Sequence, residues 1–225
     1  MKNILVIGAK GSIGNYIYNK FKEEKYNVYG TTSKNNSDTH IYIENGCLDN
    51  LLKIDNLDSI IWCQGLNMND NIYNFDNTKF MNLFNVNVLL IIETLNFLLK
   101  NNKINNGSKL VIISSIWEKI TRSNKLSYTL TKSSLGGLVK SLSYDLSEKN
   151  ILINNILPGV IFNDMTLKNL SIEQINNIKE NSNFDRLVSL DDIYETVKFL
   201  TINNNGITGE SIKVDLGFSN IKKIS

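Results

Sequence analysis

The chain has 225 residues, 24 basic and 22 acidic, with 42% hydrophobic side chains and a formal net charge of +2. That length fits one domain, 1–225, with a substantial core, and the charge excludes a nucleic-acid binder held mainly by phosphate contacts, which needs a dense basic face. No apolar run reaches the roughly 18 residues that span a bilayer, so no membrane partner is expected. The start, MKNILVIGAKGSIG, turns into glycines too early for a signal peptide. Cys47, Cys63 and the single histidine, His40, lack metal-like spacing. Neither a disulfide framework nor a bound metal is expected, and the address is cytoplasmic. Asparagine occurs 36 times, which makes any one Asn a weak clue; proline occurs once, at Pro158.

In chain order, Lys2 to Ile7 is a short apolar run ended by glycine and reads as a buried strand. Ser12 to Lys25 has helical spacing, with Ile13, Ile17 and Phe21 on one face. Strands follow from Asn27 and over 41–43, then a short helix over 48–54 and a strand over 58–63. A long apolar helix is expected over 80–99, a strand over 109–114, and a second long helix over 127–148. Ile151 to Leu157 is a strand closed by Pro158-Gly159, followed by a helix over 190–200 and a strand over 210–214. The polar stretch 163–189 reads either as a flap over a site or as a pair of surface helices. Strands alternating with helices imply an α/β fold: one doubly wound parallel sheet with helices on both faces.

Two constellations carry chemistry. Gly8-Ala9-Lys10-Gly11-Ser12-Ile13-Gly14 lies between the first strand and the first helix, where backbone N–H groups and the helix N-terminus receive a pyrophosphate. Tyr128 and Lys132 are one helical turn apart, so an ammonium can stabilise a phenolate and bring tyrosine within reach of acid/base work. Tyr16/Lys20, Tyr18/Lys22 and Tyr194/Lys198 share the spacing and read as ordinary helix faces. Only Tyr128 has a hydroxyl thirteen residues upstream at a strand's carboxyl end, Ser115; the others have Asn3, Leu5 and Asn181 there.

With these motifs the chain resembles the short-chain dehydrogenase/reductase family nearly end to end, most closely members of the 3-oxoacyl-acyl-carrier-protein-reductase type. Cys63-Gln64-Gly65 stands where the family has Asn-Ala-Gly. Asn87 matches the helix asparagine, Ser115, Tyr128 and Lys132 match the other catalytic residues, and Pro158-Gly159 matches the turn beside the nicotinamide. ITGESIKVDLGF resembles the closing segment. The resemblance implies a Rossmann-type fold and interconversion of a carbonyl and a secondary alcohol. Tyr128 would give the proton as hydride arrives, and Ser115 would hold the substrate oxygen. Lys132 would depress the Tyr128 pKa and hold the nicotinamide ribose, and Asn87 would anchor a relay water. Ile161 and Asn163, after the Pro-Gly turn, would meet the carboxamide. The strand-end hydrogen bond made by the family's asparagine is either missing here or rebuilt by Gln64.

The second strand ends in Thr31-Thr32-Ser33-Lys34 with no carboxylate for an adenosine ribose; Glu44 is only a weak alternative. Ser33 and Lys34, with Lys10, suit a 2′-phosphate, so NADP(H) is favoured over NAD(H). Trp117 is expected at a small or sugar-like substrate with Ser115 and Tyr128. Lys119, Arg122 and Lys125 would form either a basic entrance or a solvated loop. A nucleotide-sugar epimerase or dehydratase, which would need a larger carboxyl-terminal domain, is not expected. A catalytically silent NADP(H) sensor is the alternative reading. Both long helices, 80–99 and 127–148, carry more apolar residues than one buried face requires, which points to a homodimer or homotetramer through them.

Overall fold

The computed structural model describes residues 1–33, 40–43, 47–161, 171–180, 184 and 186–220. Its strands are β1 (Asn3–Ile7), β2 (Asn27–Thr32), β3 (Ile41–Tyr42), β4 (Leu57–Trp62), β5 (Ile104–Ile113), β6 (Leu152–Pro158) and β7 (Ser211–Val214). All pair in parallel in the order β3-β2-β1-β4-β5-β6-β7. The order reverses between β1 and β4, the place where open α/β sheets hold ligands at their carboxyl ends. The expected doubly wound parallel sheet is what the chain forms.

Strand alternation feeds two cores. Leu5, Ile7, Ile60, Trp62, Leu110 and Ile112 face one layer. Ile4, Val6, Ile61, Val111 and Ile156 face the other. The second face is covered by α1 (Ser12–Glu23), which buries Gly14, Ile17, Tyr18 and Phe21 at helical spacing. The first is covered by α2 (Asn77–Phe84), α3 (Leu90–Lys100) and α4 (Leu126–Asp145). A single π-turn, Asn85–Leu89, joins α2 to α3, so the expected 80–99 helix is continuous but re-registered. The Trp62 indole, fully buried, donates to Thr94 Oγ1 at 2.9 Å.

The run Asn77–Lys100 has a mean hydropathy of 1.5 over its best window, with 39% of that window buried inside the fold. By length and composition it does pass as a membrane span, against the expectation, because the few polar residues among its Leu and Ile barely lower the average. Its buried face packs on the sheet.

The 163–189 stretch contains a helix, α5 (Ile172–Glu180), and Val188 bridges in parallel to Ile161. Next comes α6 (Leu190–Lys198), started by a capping box between Ser189 and Asp192. Of the three rival Tyr/Lys pairs, two have a tyrosine in the core, Tyr18 on α1 and Tyr194 on α6, the latter buried at 1% exposure.

Candidate functional site

The glycine turn leaves β1 at Gly8, whose φ of +80° falls in the left-handed region glycine tolerates best. A Cβ on Gly8 would lie 2.7 Å from the Gln64 nitrogen, and one on Gly14 would lie 2.3 Å from the Gly8 carbonyl oxygen. Close packing of β1, the β4 loop and α1 therefore requires glycine at both. Gly11 caps α1 with no side-chain hydrogen bond, and its first turn, from Ser12 and Ile13, holds no acid. The leading N–H groups face no competing carboxylate and suit a phosphate.

Across the switch point, Cys63 follows β4 and its nitrogen donates to Ile7 at 2.8 Å. Burial pushes the Cys63 thiol far up, which makes it inert. The Gln64 amide is buried, and neither its oxygen nor its nitrogen finds a partner. Of the two outcomes expected for the strand-end hydrogen bond, missing or rebuilt by Gln64, the side chain gives the first, standing in the turn region beside Gly8. An orphaned donor and acceptor next to a glycine cradle fit a dinucleotide. A Cβ on Gly65 would lie 3.6 Å from Asn87 Oδ1 and 3.8 Å from Lys132 Nζ.

Ser115 ends the β5 segment and caps the short turn Ile116–Glu118, its Oγ accepting from the Trp117 nitrogen at 3.4 Å. Tyr128 and Lys132 lie one turn apart on α4, and both are buried. Burial pushes the Tyr128 phenol up to about 12, while a hydrogen bond from Ser115 pulls the other way. Burial pushes Lys132 down to about 8, with the Glu118 charge opposing it. The expected depression of the Tyr128 pKa by Lys132 is absent. The ammonium lies 5.8 Å from the phenol ring centre and donates to the Ile113 carbonyl at 3.3 Å.

Asn87 sits in the π-turn, a feature frequent at functional sites. Its Oδ1 accepts from the Leu66 nitrogen at 2.8 Å, and its Nδ2 donates to the Leu66 carbonyl and to Thr131 Oγ1, both at 3.1 Å. The amide ties the β4 loop to α4.

Ser33 is exposed just past β2, while Lys34, Asn163 and Glu44 lie outside the described residues. Burial lowers the His40 pKa, and the nearby charges of Lys10 and Lys22 add to it. His40 packs on Tyr18 at 4.9 Å between ring centres. The end of β2 is thus more cationic than its own residues show. Gly159 follows β6, its nitrogen donating to Val214, and Ile161 is buried. Trp117 is half-buried with the Arg122 guanidinium 5.8 Å from its ring.

Asp70 and Glu118 escape a reading of the sequence, and so does the role of Lys125. Lys125, 2% exposed, lies 5.2 Å from the Tyr128 ring centre and donates to Asn67 Oδ1 at 2.6 Å. It is neither an entrance cation nor a solvated one: it latches the β4 loop to α4, and burial pushes it down to about 8. Asp70 reinforces the latch by accepting from the Ser127 nitrogen at 3.0 Å and from its hydroxyl. Glu118 is a buried carboxylate behind Lys132. A charge in a polar loop carries no local sign of burial, so none of the three could be found from spacing.

A family model described as Enoyl-(Acyl carrier protein) reductase matches residues 49–219. The 3-oxoacyl-(acyl-carrier-protein) reductase of Rickettsia typhi is 26% identical, with 96% of each chain covered. Among solved structures, a short chain dehydrogenase family protein from Francisella tularensis superposes with a TM-score of 0.84 at 23% identity, covering 97% of this chain and 99% of its own. ElxO with NADP bound gives 0.84 at 22% identity, covering 98% and 99%. A 4-hydroxyisoleucine dehydrogenase complexed with NADH gives 0.83 at 22%, covering 99% and 100%. At these identities the structures share the fold.

Proposed function

This chain belongs to the short-chain dehydrogenase/reductase family and is an NAD(P)-dependent oxidoreductase acting on a CH–OH group or a carbonyl; from that premise we propose that it reduces a carbonyl on a small or sugar-like substrate with NADPH, Tyr128 giving the proton. The convergence of Ser115 and Lys132 on Tyr128 beside Gly65 carries this reading.

The nicotinamide, when bound, supplies the hydride. Tyr128, held protonated by burial, is poised to donate rather than to accept. Ser115, already hydrogen-bonded to the phenol, would hold the substrate oxygen and share the charge that develops on it. Lys132 would leave the Ile113 carbonyl for the ribose hydroxyls and there favour the phenolate left behind. Gly8, Gly11, Ser12, Ile13 and Gly14 would cradle the pyrophosphate, Gln64 and Gly65 the adjoining ribose, and Pro158, Gly159, Ile161 and Asn163 the carboxamide. Lys10, Ser33 and Lys34 would take the 2′-phosphate. Exposed Met81, Ile92, Leu130 and Tyr144 on α2, α3 and α4 support a homo-oligomer through helices 80–99 and 127–148.

Titration with NADPH and NADH, followed by nicotinamide fluorescence, tests the cofactor. NADPH should bind about tenfold tighter, the worth of one charge-assisted hydrogen bond, and Lys34→Glu should erase the difference. An unchanged ratio would mean that the 2′-phosphate is read elsewhere. Turnover of acetoacetyl-CoA and of aldose or ketose substrates, followed by loss of NADPH absorbance, then sorts the carbonyl classes.

A further inference from the structure

Glu118 carries a side chain only 1% exposed. Its Oε2 accepts from Ser114 Oγ at 2.8 Å and Asn155 Nδ2 at 3.1 Å, and its Oε1 accepts from Ser211 Oγ at 2.6 Å. Lys119 Nζ stands 3.1 Å from Oε1 at the outer edge. β5, β6 and β7 therefore each send a polar group to one carboxylate. From the other side α4 closes over it: a Cβ on Gly136 would lie 2.7 Å from Oε1. Gly136 is one turn beyond Lys132, so the carboxylate lies against the helix face that carries the ammonium. Among the described residues, Lys132, 3% exposed, is bonded only to a neutral carbonyl, and Glu118 is the one opposite charge that acts on it.

A scaffold alone would not need that charge. Ser114 and Ser211 can turn their hydroxyls to suit a neutral amide, and burying a carboxylate costs solvation that an amide does not. We propose that Glu118 is a positioning residue for the reaction: its buried carboxylate is the counter-charge that keeps Lys132 an ammonium beside Tyr128. This rests on the roles given to Tyr128 and Lys132 above. With Glu118 in place Lys132 enters the reaction charged; without it the ammonium is buried among neutral groups and sheds its proton near neutrality.

The test is Glu118→Gln in protein labelled with carbon-13 at the lysine Cε, with the Lys132 resonance identified by its loss in Lys132→Met. Removing the charge should lower the Lys132 titration midpoint by about one pH unit. The alkaline limb of kcat/KM for acetoacetyl-CoA with NADPH should move by the same amount. Glu118→Asp should restore part of the shift, and Lys119→Met should leave the midpoint lowered by none of it. If Glu118→Gln fails to fold, Gly136→Ala, which keeps the charge but pushes it off the helix, should lower the midpoint less. An unmoved midpoint in the folded variant overturns the proposal, even where melting falls, because Glu118 is then scaffold alone. A moved midpoint with Tyr128→Phe still fully active would overturn the role in the reaction through Tyr128 itself, and the lysine titration tells that failure from the first.

Discussion

Lys132 and Tyr128 face each other across one turn of α4 without touching: the ammonium donates to Ile113 at 3.3 Å and leaves the phenol to Ser115. Burial acts on the two in opposite senses, raising the tyrosine and lowering the lysine, so the phenol keeps its proton firmly while the lysine, at about 8, is still an ammonium at neutral pH but holds its proton less tightly than a free one. The pair is loaded for proton donation, and binding at the ribose side is what would bring the ammonium into play.

Lys132→Met should stabilise the protein without cofactor at pH 7 by a few kcal/mol while abolishing turnover. The folded pKa, about 8, lies below the lysine model value of 10.5. Burying the charged form therefore costs stability in full below about pH 8. That cost fades as pH rises toward 10.5, where the unfolded chain also loses its proton. Denaturant unfolding of both proteins at pH 7 and near pH 10 checks the sign: the gap should close with rising pH. A gap that widens would show that Lys132 is not a buried cation.

Tyr128→Phe should lower kcat/KM by about 10²–10⁴-fold, the usual worth of a positioned general acid. NADPH affinity should stay within about twofold, since no cofactor contact is assigned to the phenol oxygen alone, and a difference of that size is below one ordinary hydrogen bond. Turnover near the parent value would remove Tyr128 from the chemistry.

Thr94→Val should cost about 1–3 kcal/mol, the penalty for a buried donor left unpaired. The hydroxyl receives the Trp62 indole and in turn donates to the Leu90 carbonyl at 2.6 Å. Thermal unfolding should fall by a few degrees, with kcat unchanged because the pair lies in the core behind the site. An unchanged melting temperature would mean that the indole finds another acceptor.

What could be read ahead of the structure was whatever repeats locally. Ile17 and Phe21 announced α1, and the apolar run ending at Gly8 announced β1, because burial there follows a short period. The start of α2 was also written locally: Asp76 accepts from the Lys79 nitrogen as a cap, yet the apolar pattern alone drew the helix from 80. The π-turn left no trace, since one extra residue per turn barely disturbs a helical face that is apolar on most sides. The motifs assembled as their spacing required, with Ser115, Tyr128, Lys132 and Gly65 together. The Glu118 site depended on Asn155 and Ser211, which lie 37 and 93 residues away. In a chain with 36 asparagines, Asn155 gave no reason to be singled out.

The fit of Glu118 against Gly136 ties the histories of two positions together. Any side chain at 136 must displace the carboxylate, and a carboxylate can enter at 118 only where 136 is bare. Exchanges at the two positions are therefore coupled: losing the acid first frees the space beside the helix, whereas adding a methyl group to the helix first pushes the carboxylate aside.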